Sequence, residues 1–115
     1  MAVQPPISGR TRLAAVIGSP VRHSLSPALH NAAFAAAGLD WRFVALEVAP
    51  GAAADAVAAM RTLGIGGFAV TTPHKADAAA AVDEVDAASS ALRSVNTVVL
   101  RDDGSTFGVS TDGEG

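Results

Sequence analysis

Apolar and polar residues along this chain follow two spacings, one typical of strands and one typical of helices. Apolar or alternating runs predict strands at 13–17, 41–48, 68–70, 95–100 and 106–109. Alanine-rich segments between them predict helices. The resulting order, β-α-β-α-β-α-β-β, predicts an α/β fold with three layers, in which helices cover both faces of a mostly parallel twisted sheet. A hairpin turn at 102–104 adds one antiparallel strand.

Two dipeptides have the cap-then-proline pattern of a helix start, Ser26-Pro27 and Thr72-Pro73. A hydroxyl can cap free backbone N–H groups, and proline suits the first helical position because it has no N–H. We expect the first helix over 27–37, with Leu29, Ala33 and Ala36 along one face. We expect the helix that follows 72–73 to continue over 83–92, with a break near Val82.

The composition narrows the class of protein. With 115 residues the chain is long enough for one domain, which we place at 11–115 behind a flexible leader at 1–10. The net charge of −3 and the scattered basic residues argue against nucleic-acid binding. There is no cysteine, no signal peptide and no apolar run of membrane-spanning length, which favours the cytoplasm. The three histidines have no metal-site spacing, so no metal is expected.

The stretch 66–75 is the first candidate site. Two glycines and a short apolar run lead into Thr72-Pro73, and Lys75 falls in the first turn of the predicted helix. That position lies just past the carboxyl end of a strand, where open α/β sheets bind ligands. Lys75 is also the only lysine in the chain, and lysine, unlike arginine, can give and take a proton. An ordinary surface lysine is the alternative.

Other polar residues could complete such a site. Ser24 and Ser26 precede a helix, and hydroxyls beside free N–H groups at a helix N-terminus can bind a carboxylate or phosphate. Asn96 and Asp112 stand at predicted strand ends. Asn96 could orient a polyol, and Asp112 could accept from a hydroxyl or pair with Lys75. The alternatives are a loop serine, a capping serine, a turn-forming asparagine and a solvated aspartate.

Taken together and in order, the motifs resemble the substrate-binding domain of the shikimate dehydrogenase family. The motifs that carry the resemblance are Gly18-Ser19-Pro20, His23-Ser24-Leu25-Ser26-Pro27 with His30-Asn31, Val70-Thr71-Thr72-Pro73-His74-Lys75, Val95-Asn96-Thr97 and Thr111-Asp112-Gly113. The resemblance implies reversible, NADP-dependent reduction of 3-dehydroshikimate to shikimate, a step of aromatic amino-acid biosynthesis. A homodimer is compatible with it.

The resemblance also implies roles for single residues. The lysine matching Lys75 is the acid/base group, and the aspartate matching Asp112 is its partner. The serines matching Ser24 and Ser26 hold the substrate carboxylate. The residues matching Thr71, Asn96 and Asp112 bind the ring hydroxyls.

The chain departs from the family pattern at several positions. Ala69 stands where the family commonly has Asn or Ser, Ser110 stands where Asn is common, and Arg93-Ser94 replaces a small Gly-Ala pair. No Gly-x-Gly-x-x-Gly turn follows a strand, so the nucleotide-binding domain is expected to lie outside this chain. The chain alone is therefore expected to be inactive.

Other functions stay open at this point. The departures are compatible with a relative that acts on quinate or an amino-shikimate. A folate one-carbon dehydrogenase ranks lower, because those enzymes lack the Ser-x-Ser-Pro start. A module that binds a carboxylate and a polyol without a redox step is the alternative from another class.

Overall fold

The protein is described by a computed structural model that covers residues 3–111. Strands and helices alternate along most of it, as the apolar pattern predicts. In chain order the elements are β1 Arg12–Gly18, α1 Ser26–Ala37, β2 Trp41–Glu47, α2 Ala53–Leu63, β3 Gly67–Val70, α3 Lys75–Ala81, β4 Glu84–Val85, α4 Ala87–Leu92, β5 Thr97–Leu100 and β6 Thr106–Val109.

The strands form one sheet in the order β2-β1-β3-β5-β6-β4. Strand β5 runs antiparallel to both of its neighbours, β3 and β6, and the remaining neighbours are parallel. The predicted α/β fold, with a mostly parallel sheet and one antiparallel strand, is thus confirmed. Because β5 is reversed, its first residues lie at the same edge as the last residues of β1 and β3.

One face of the sheet, called the closed face below, carries the main core. Alternate residues of β1, β3 and β5 point to this face, among them Ile17, Phe68 and Val98, which are at most 2% exposed. Helices α2 and α3 cover them with Met60 and Ala78, which are both fully buried. Period-two alternation in the strands and helical spacing in α2 place these apolar side chains against one another.

The other face, called the open face below, is covered by α1 over β1 and β2. Phe34 packs there beside Phe43 and Val16. Asn31 anchors the helix, because its side-chain amide donates to the Phe43 carbonyl at 2.8 Å and its oxygen accepts from the Phe43 N–H at 2.8 Å. The strip formed by Gly67, Ala69, Thr97 and Val99 lies beyond α1 on this face, and the Val99 side chain is 40% exposed.

The predicted face of α1 points the other way. Leu29 is 67% exposed, and Ala33 and Ala36 are exposed as well. The inward side instead carries Phe34 and the polar Asn31. Periodicity shows which residues share a face, but the hydrogen-bonding side chain of Asn31 decides which face meets the strand.

Both predicted helix starts are wrong in detail. Helix α1 begins at Ser26 itself, with Leu25 in the capping position and no side-chain cap. Helix α3 begins at Lys75, because the Thr72 carbonyl accepts from Ser19 N–H at 3.1 Å and the Thr71 carbonyl accepts from His74 N–H at 3.0 Å. These bonds keep 71–74 in a turn, so Thr72 is not the cap. The placement of Lys75 in the first turn is confirmed.

The helix predicted over 83–92 is broken by a short strand. The break near Val82 is confirmed, since α3 ends at Ala81. Strand β4 then pairs in parallel with β6, and α4 begins only at Ala87, where the Asp86 carboxylate accepts from Ser89 N–H at 3.2 Å. The parallel pairing with β6 is a long-range contact that no local pattern reports.

The segment 3–10 contains no helix or strand, and it contacts the edge of the sheet. The Gln4 amide donates to the carbonyls of Leu39 and Trp41, and Arg42 donates to the Pro5 carbonyl. The bond from Gln4 to the Trp41 carbonyl and the two bonds between Asn31 and Phe43 occupy backbone groups of the edge strand β2, which would otherwise be open to another strand. In residues 3–111 no helix is long and apolar enough to cross a membrane.

Candidate active site

A pocket of about 510 Å³, called the site pocket below, lies at the sheet edge where β1 and β3 end and β5 begins. Side chains from three separate loops line it. Of the six residues singled out in the sequence, five line this pocket: Ser24, Ser26, Thr71, Lys75 and Asn96. The sixth, Asp112, lies outside the described residues.

Backbone hydrogen bonds bring the three loops together. Thr71 N–H donates to the Ile17 carbonyl at 3.0 Å, and Val70 N–H donates to the Asn96 carbonyl at 2.8 Å. At the end of β1, the position of Gly18 requires glycine, because a Cβ there would collide with the Thr71 side chain. These contacts hold the ends of β1 and β3 close together beside the pocket.

Residues 19–25 between β1 and α1, together with Ser26, are called the serine loop below and are held by hydrogen bonds. Ser24 N–H donates to the Val21 carbonyl at 3.0 Å, and the Ser24 Oγ accepts from Ser26 N–H at 3.1 Å. Glu47, at the end of β2, accepts from Val21 N–H at 3.1 Å and ties the loop to the sheet. Both serines are half-buried at the start of α1, so their hydroxyls reach the pocket from a backbone that is held at several points.

Lys75 enters the pocket from the first turn of α3 and is half-buried. Its carbonyl accepts from Val95 N–H at 3.1 Å, which ties it to the residue before Asn96. Among the described residues that line the pocket there is no carboxylate, whereas Lys75 contributes an amine. Such a lining favours an anionic ligand.

Asn96 presents a fixed amide. Its nitrogen donates to the Thr111 hydroxyl at 2.7 Å, and its oxygen accepts from the Thr97 hydroxyl at 3.0 Å. The Asn96 oxygen also accepts from the Thr111 N–H at 3.2 Å, and because a backbone N–H only donates, this bond fixes which side of the amide accepts. Because Asp112 lies outside the described residues, its pairing with Lys75 stays a prediction.

The pocket is also lined by eight residues to which the sequence patterns gave no binding role. They are Val16, Pro20, Val21, His23, His30, Ala69, Val70 and Thr97. The spacing could have indicated His30, because it lies four residues after Ser26 and residues four apart share a helix face. Its Nδ1 lies 3.0 Å from the Ser26 carbonyl oxygen, and its ring stacks on Phe43 with a centroid distance of 4.1 Å.

The three histidines lie in different environments. His23 and His30 are exposed at the pocket, whereas His74 is fully buried. Across residues 3–111, no three side chains of the His, Asp or Glu type gather closely enough to hold a metal ion.

Comparison with known proteins assigns the chain to a family. The model of the shikimate dehydrogenase substrate binding domain matches residues 16–98. The chain belongs to this family. A shikimate dehydrogenase (NADP(+)) of Rubrobacter xylanophilus is 49% identical over 111 residues, which are 96% of this chain and 39% of the relative. The chain therefore spans about two fifths of the length of this relative.

Solved structures of shikimate dehydrogenases show the same architecture. One, described in complex with NADP+, has a TM-score of 0.89 and 38% identity, and the match covers 97% of this chain and 39% of that structure. Another is shikimate 5-dehydrogenase from Listeria monocytogenes in complex with shikimate and NAD. It has a TM-score of 0.85 and 37% identity, over 93% of this chain and 37% of that one.

Proposed function

We propose that this chain is the shikimate-binding part of an NADP-dependent shikimate dehydrogenase, which interconverts 3-dehydroshikimate and shikimate. One observation carries the proposal. Side chains from the serine loop, the Thr71–Lys75 loop and the start of β5 line a single pocket of about 510 Å³. The family assignment and the shikimate complex of the Listeria relative support the choice of ligand.

Binding follows from the chemistry of the lining. The hydroxyls of Ser24 and Ser26 can donate to a carboxylate, and the start of α1 adds partial positive charge. Thr71 and Asn96 offer a hydroxyl and an amide to the ring hydroxyls. We assign the carboxylate to the serine side of the pocket and the ring hydroxyls to the side of β3 and β5.

Lys75 is proposed to move the proton. Reduction of the ketone adds a hydride to carbon and leaves an alkoxide, which needs a proton donor in reach. The Lys75 ammonium can donate that proton, and the neutral amine can accept it in the reverse direction. Asp112 is proposed as its partner, because a carboxylate can accept a charge-assisted hydrogen bond from the Lys75 amine.

The hydride donor is proposed to be NADPH, held by a part of the protein beyond this chain. Within the described residues, each connection from a strand to a following helix contains at most one glycine. A glycine-rich turn that lets the backbone approach a pyrophosphate is therefore missing from these connections. The described residues do not fit a dinucleotide, and the contribution of this chain is substrate binding and proton transfer.

Ala69 favours a second candidate function, in which the preferred substrate is quinate or an amino-shikimate. Ala69 lines the pocket directly, where the family commonly carries the polar Asn or Ser. A methyl group there removes a hydrogen-bonding partner and leaves more room. Quinate and shikimate differ at one ring position, so a change of this kind could alter the choice between them.

Calorimetric titration of the chain with shikimate and with quinate tests the proposal without nucleotide. We expect measurable shikimate binding, and a dissociation constant at least about tenfold higher when Ser24→Ala and Ser26→Ala are combined, because a charged hydrogen bond contributes about 1.5–3 kcal/mol. Ser90→Ala, an exposed serine of α4 outside this pocket, is the matched control. No binding of shikimate by a folded chain would contradict the proposal, and tighter quinate binding would favour the second candidate.

We also propose a cytoplasmic location and a homodimer for the complete protein. The lack of cysteine in the sequence is compatible with the first. Fractionation of cells and light scattering of the purified protein test the two statements separately.

A further inference from the structure

His74 is a fully buried polar residue directly before Lys75, and the proposed reaction does not use it. Its Nε2 lies 2.7 Å from the Val48 carbonyl oxygen. Because a carbonyl only accepts, Nε2 carries the proton of this bond. The other ring nitrogen, Nδ1, is buried with no hydrogen-bond partner in the described part of the chain. A phenylalanine side chain would fill this space without leaving a polar atom unpaired, so the need to fill a buried space does not by itself explain the histidine.

The bond from His74 joins parts of the chain that are far apart in sequence. Val48 follows β2, and its own N–H donates to the Gly18 carbonyl at 3.0 Å. The imidazole thus connects the start of α3 to the ends of β1 and β2. On the other side, the Lys75 carbonyl accepts from Val95 N–H at the start of the segment that carries Asn96. The backbone around Lys75 is held from two directions.

We propose that His74 is a positioning residue for Lys75. The bond from Nε2 to the Val48 carbonyl sets the direction in which the first turn of α3 leaves the sheet. That direction determines where the Lys75 side chain enters the pocket. This inference rests on the proposed function, because it gives His74 a role in placing the proposed proton donor.

The position of the Lys75 side chain can be followed directly by NMR. Lys75 is the only lysine in the chain, so a chain labelled with 13C-lysine gives the NMR signals of a single lysine side chain. The position of that signal reports the surroundings of Lys75, and its change with added shikimate reports binding. Loss of stability elsewhere in the fold does not by itself move it.

Two variants form a matched pair. His74→Gln carries an amide nitrogen that can reach the Val48 carbonyl, whereas His74→Asn carries the same amide on a shorter stem. Thr106→Val is the control for stability alone. Thr106 is 2% exposed, its hydroxyl donates to Asp83 at 3.1 Å, and it does not line the site pocket.

We expect His74→Gln to keep the Lys75 signal close to its original position. We expect His74→Asn to move the signal toward that of an exposed lysine and to raise the shikimate dissociation constant about tenfold, the size expected for one lost hydrogen bond. Thr106→Val should lower the unfolding midpoint and leave the Lys75 signal and the dissociation constant unchanged.

The proposal is overturned if His74→Asn folds and leaves both the Lys75 signal and the dissociation constant unchanged, or if Thr106→Val moves the signal equally. Should His74→Asn fail to fold, His74→Gln decides, since a displaced Lys75 signal there contradicts the proposal and an unchanged one supports it. If shikimate does not bind the original chain, the proposed function fails. The ligand-free Lys75 signals then still test the role of His74.

Discussion

The two faces of the sheet differ in how far helices cover them. The closed face is packed by α2 and α3 around Met60 and Ile17, which are fully buried. The open face is covered by α1 only over β1 and β2, and α1 contains no buried residue in the described structure. Stability should therefore depend mainly on the closed face.

The open face is connected to the site. Beside α1 it forms a second, apolar pocket of about 210 Å³. Ala69, Thr97 and His30 line both this pocket and the site pocket. A substitution on the open face can thus change ligand binding without disturbing the main core. We therefore expect substitutions on the closed face to change mainly the stability, and substitutions on the open face beside the site to change mainly ligand binding.

The largest effect is expected from Met60→Ala on the closed face. Removing a fully buried side chain leaves a cavity, so the free energy of unfolding should fall by about 3 kcal/mol. Urea unfolding of the purified chain measures it. Leu29→Ala, on the solvent-exposed side of α1, is the control for loss of an apolar side chain that is not buried, and it should cost less than about 0.5 kcal/mol. Equal losses from the two variants would contradict the tight packing of the closed face.

Two strand glycines test the difference directly, because they point to opposite faces of the sheet. A Cβ on Gly108 would lie 2.9 Å from Val95 Cγ1 on the closed face, so Gly108→Ala should cost about 1–3 kcal/mol. A Cβ on Gly67 would meet only the Val98 carbonyl oxygen, at 3.5 Å. Gly67→Ala should therefore stay within about 0.5 kcal/mol of the original chain. Thermal unfolding of both variants measures the difference, and the reverse order would be incompatible with the two faces as described.

Binding should respond to the open face where it meets the site. Ala69→Leu places a larger side chain in the site pocket and should raise the shikimate dissociation constant about tenfold, with little change in stability. Val99→Leu lies on the same face but lines only the apolar pocket, so it should leave binding unchanged. Titration calorimetry and unfolding of both variants test this. A large loss of stability in Ala69→Leu would show that the open face is packed more tightly than described.

The smallest effect concerns acid sensitivity and involves Asp83, an exposed residue directly before β4. The Thr106 N–H and hydroxyl donate to Asp83, and with the nearby Arg61 guanidinium they lower the pKa of Asp83 below its usual value. The unfolded chain then binds the proton more tightly, so the contribution is present above roughly pH 3.9 and is lost as the pH falls below it. Asp83→Asn should reduce the loss of stability in this range. Unfolding midpoints between pH 5 and pH 3 measure it, with Asp102→Asn as the control for the loss of one charge.

The sequence predicted the order of the main strands and helices because that order follows from local patterns. Period-two runs, helical spacing and the glycines after α1 and α2 need no knowledge of the rest of the chain. The motifs likewise indicated the residues of the site, and five of them line one pocket. Their chemical roles, and the part of Asp112, stay predictions.

Long-range contacts decided what local patterns could not. The start of α3 moved to Lys75 because Thr72 bonds to the loop after β1, and β4 exists because it pairs with β6. The buried side of α1 depends on Asn31 meeting the backbone of β2. Residue types and their spacing determined which functional groups the chain carries. The positions of these groups depend on long-range contacts, because the ends of β1, β3 and β5 are distant in sequence and meet only in the folded sheet.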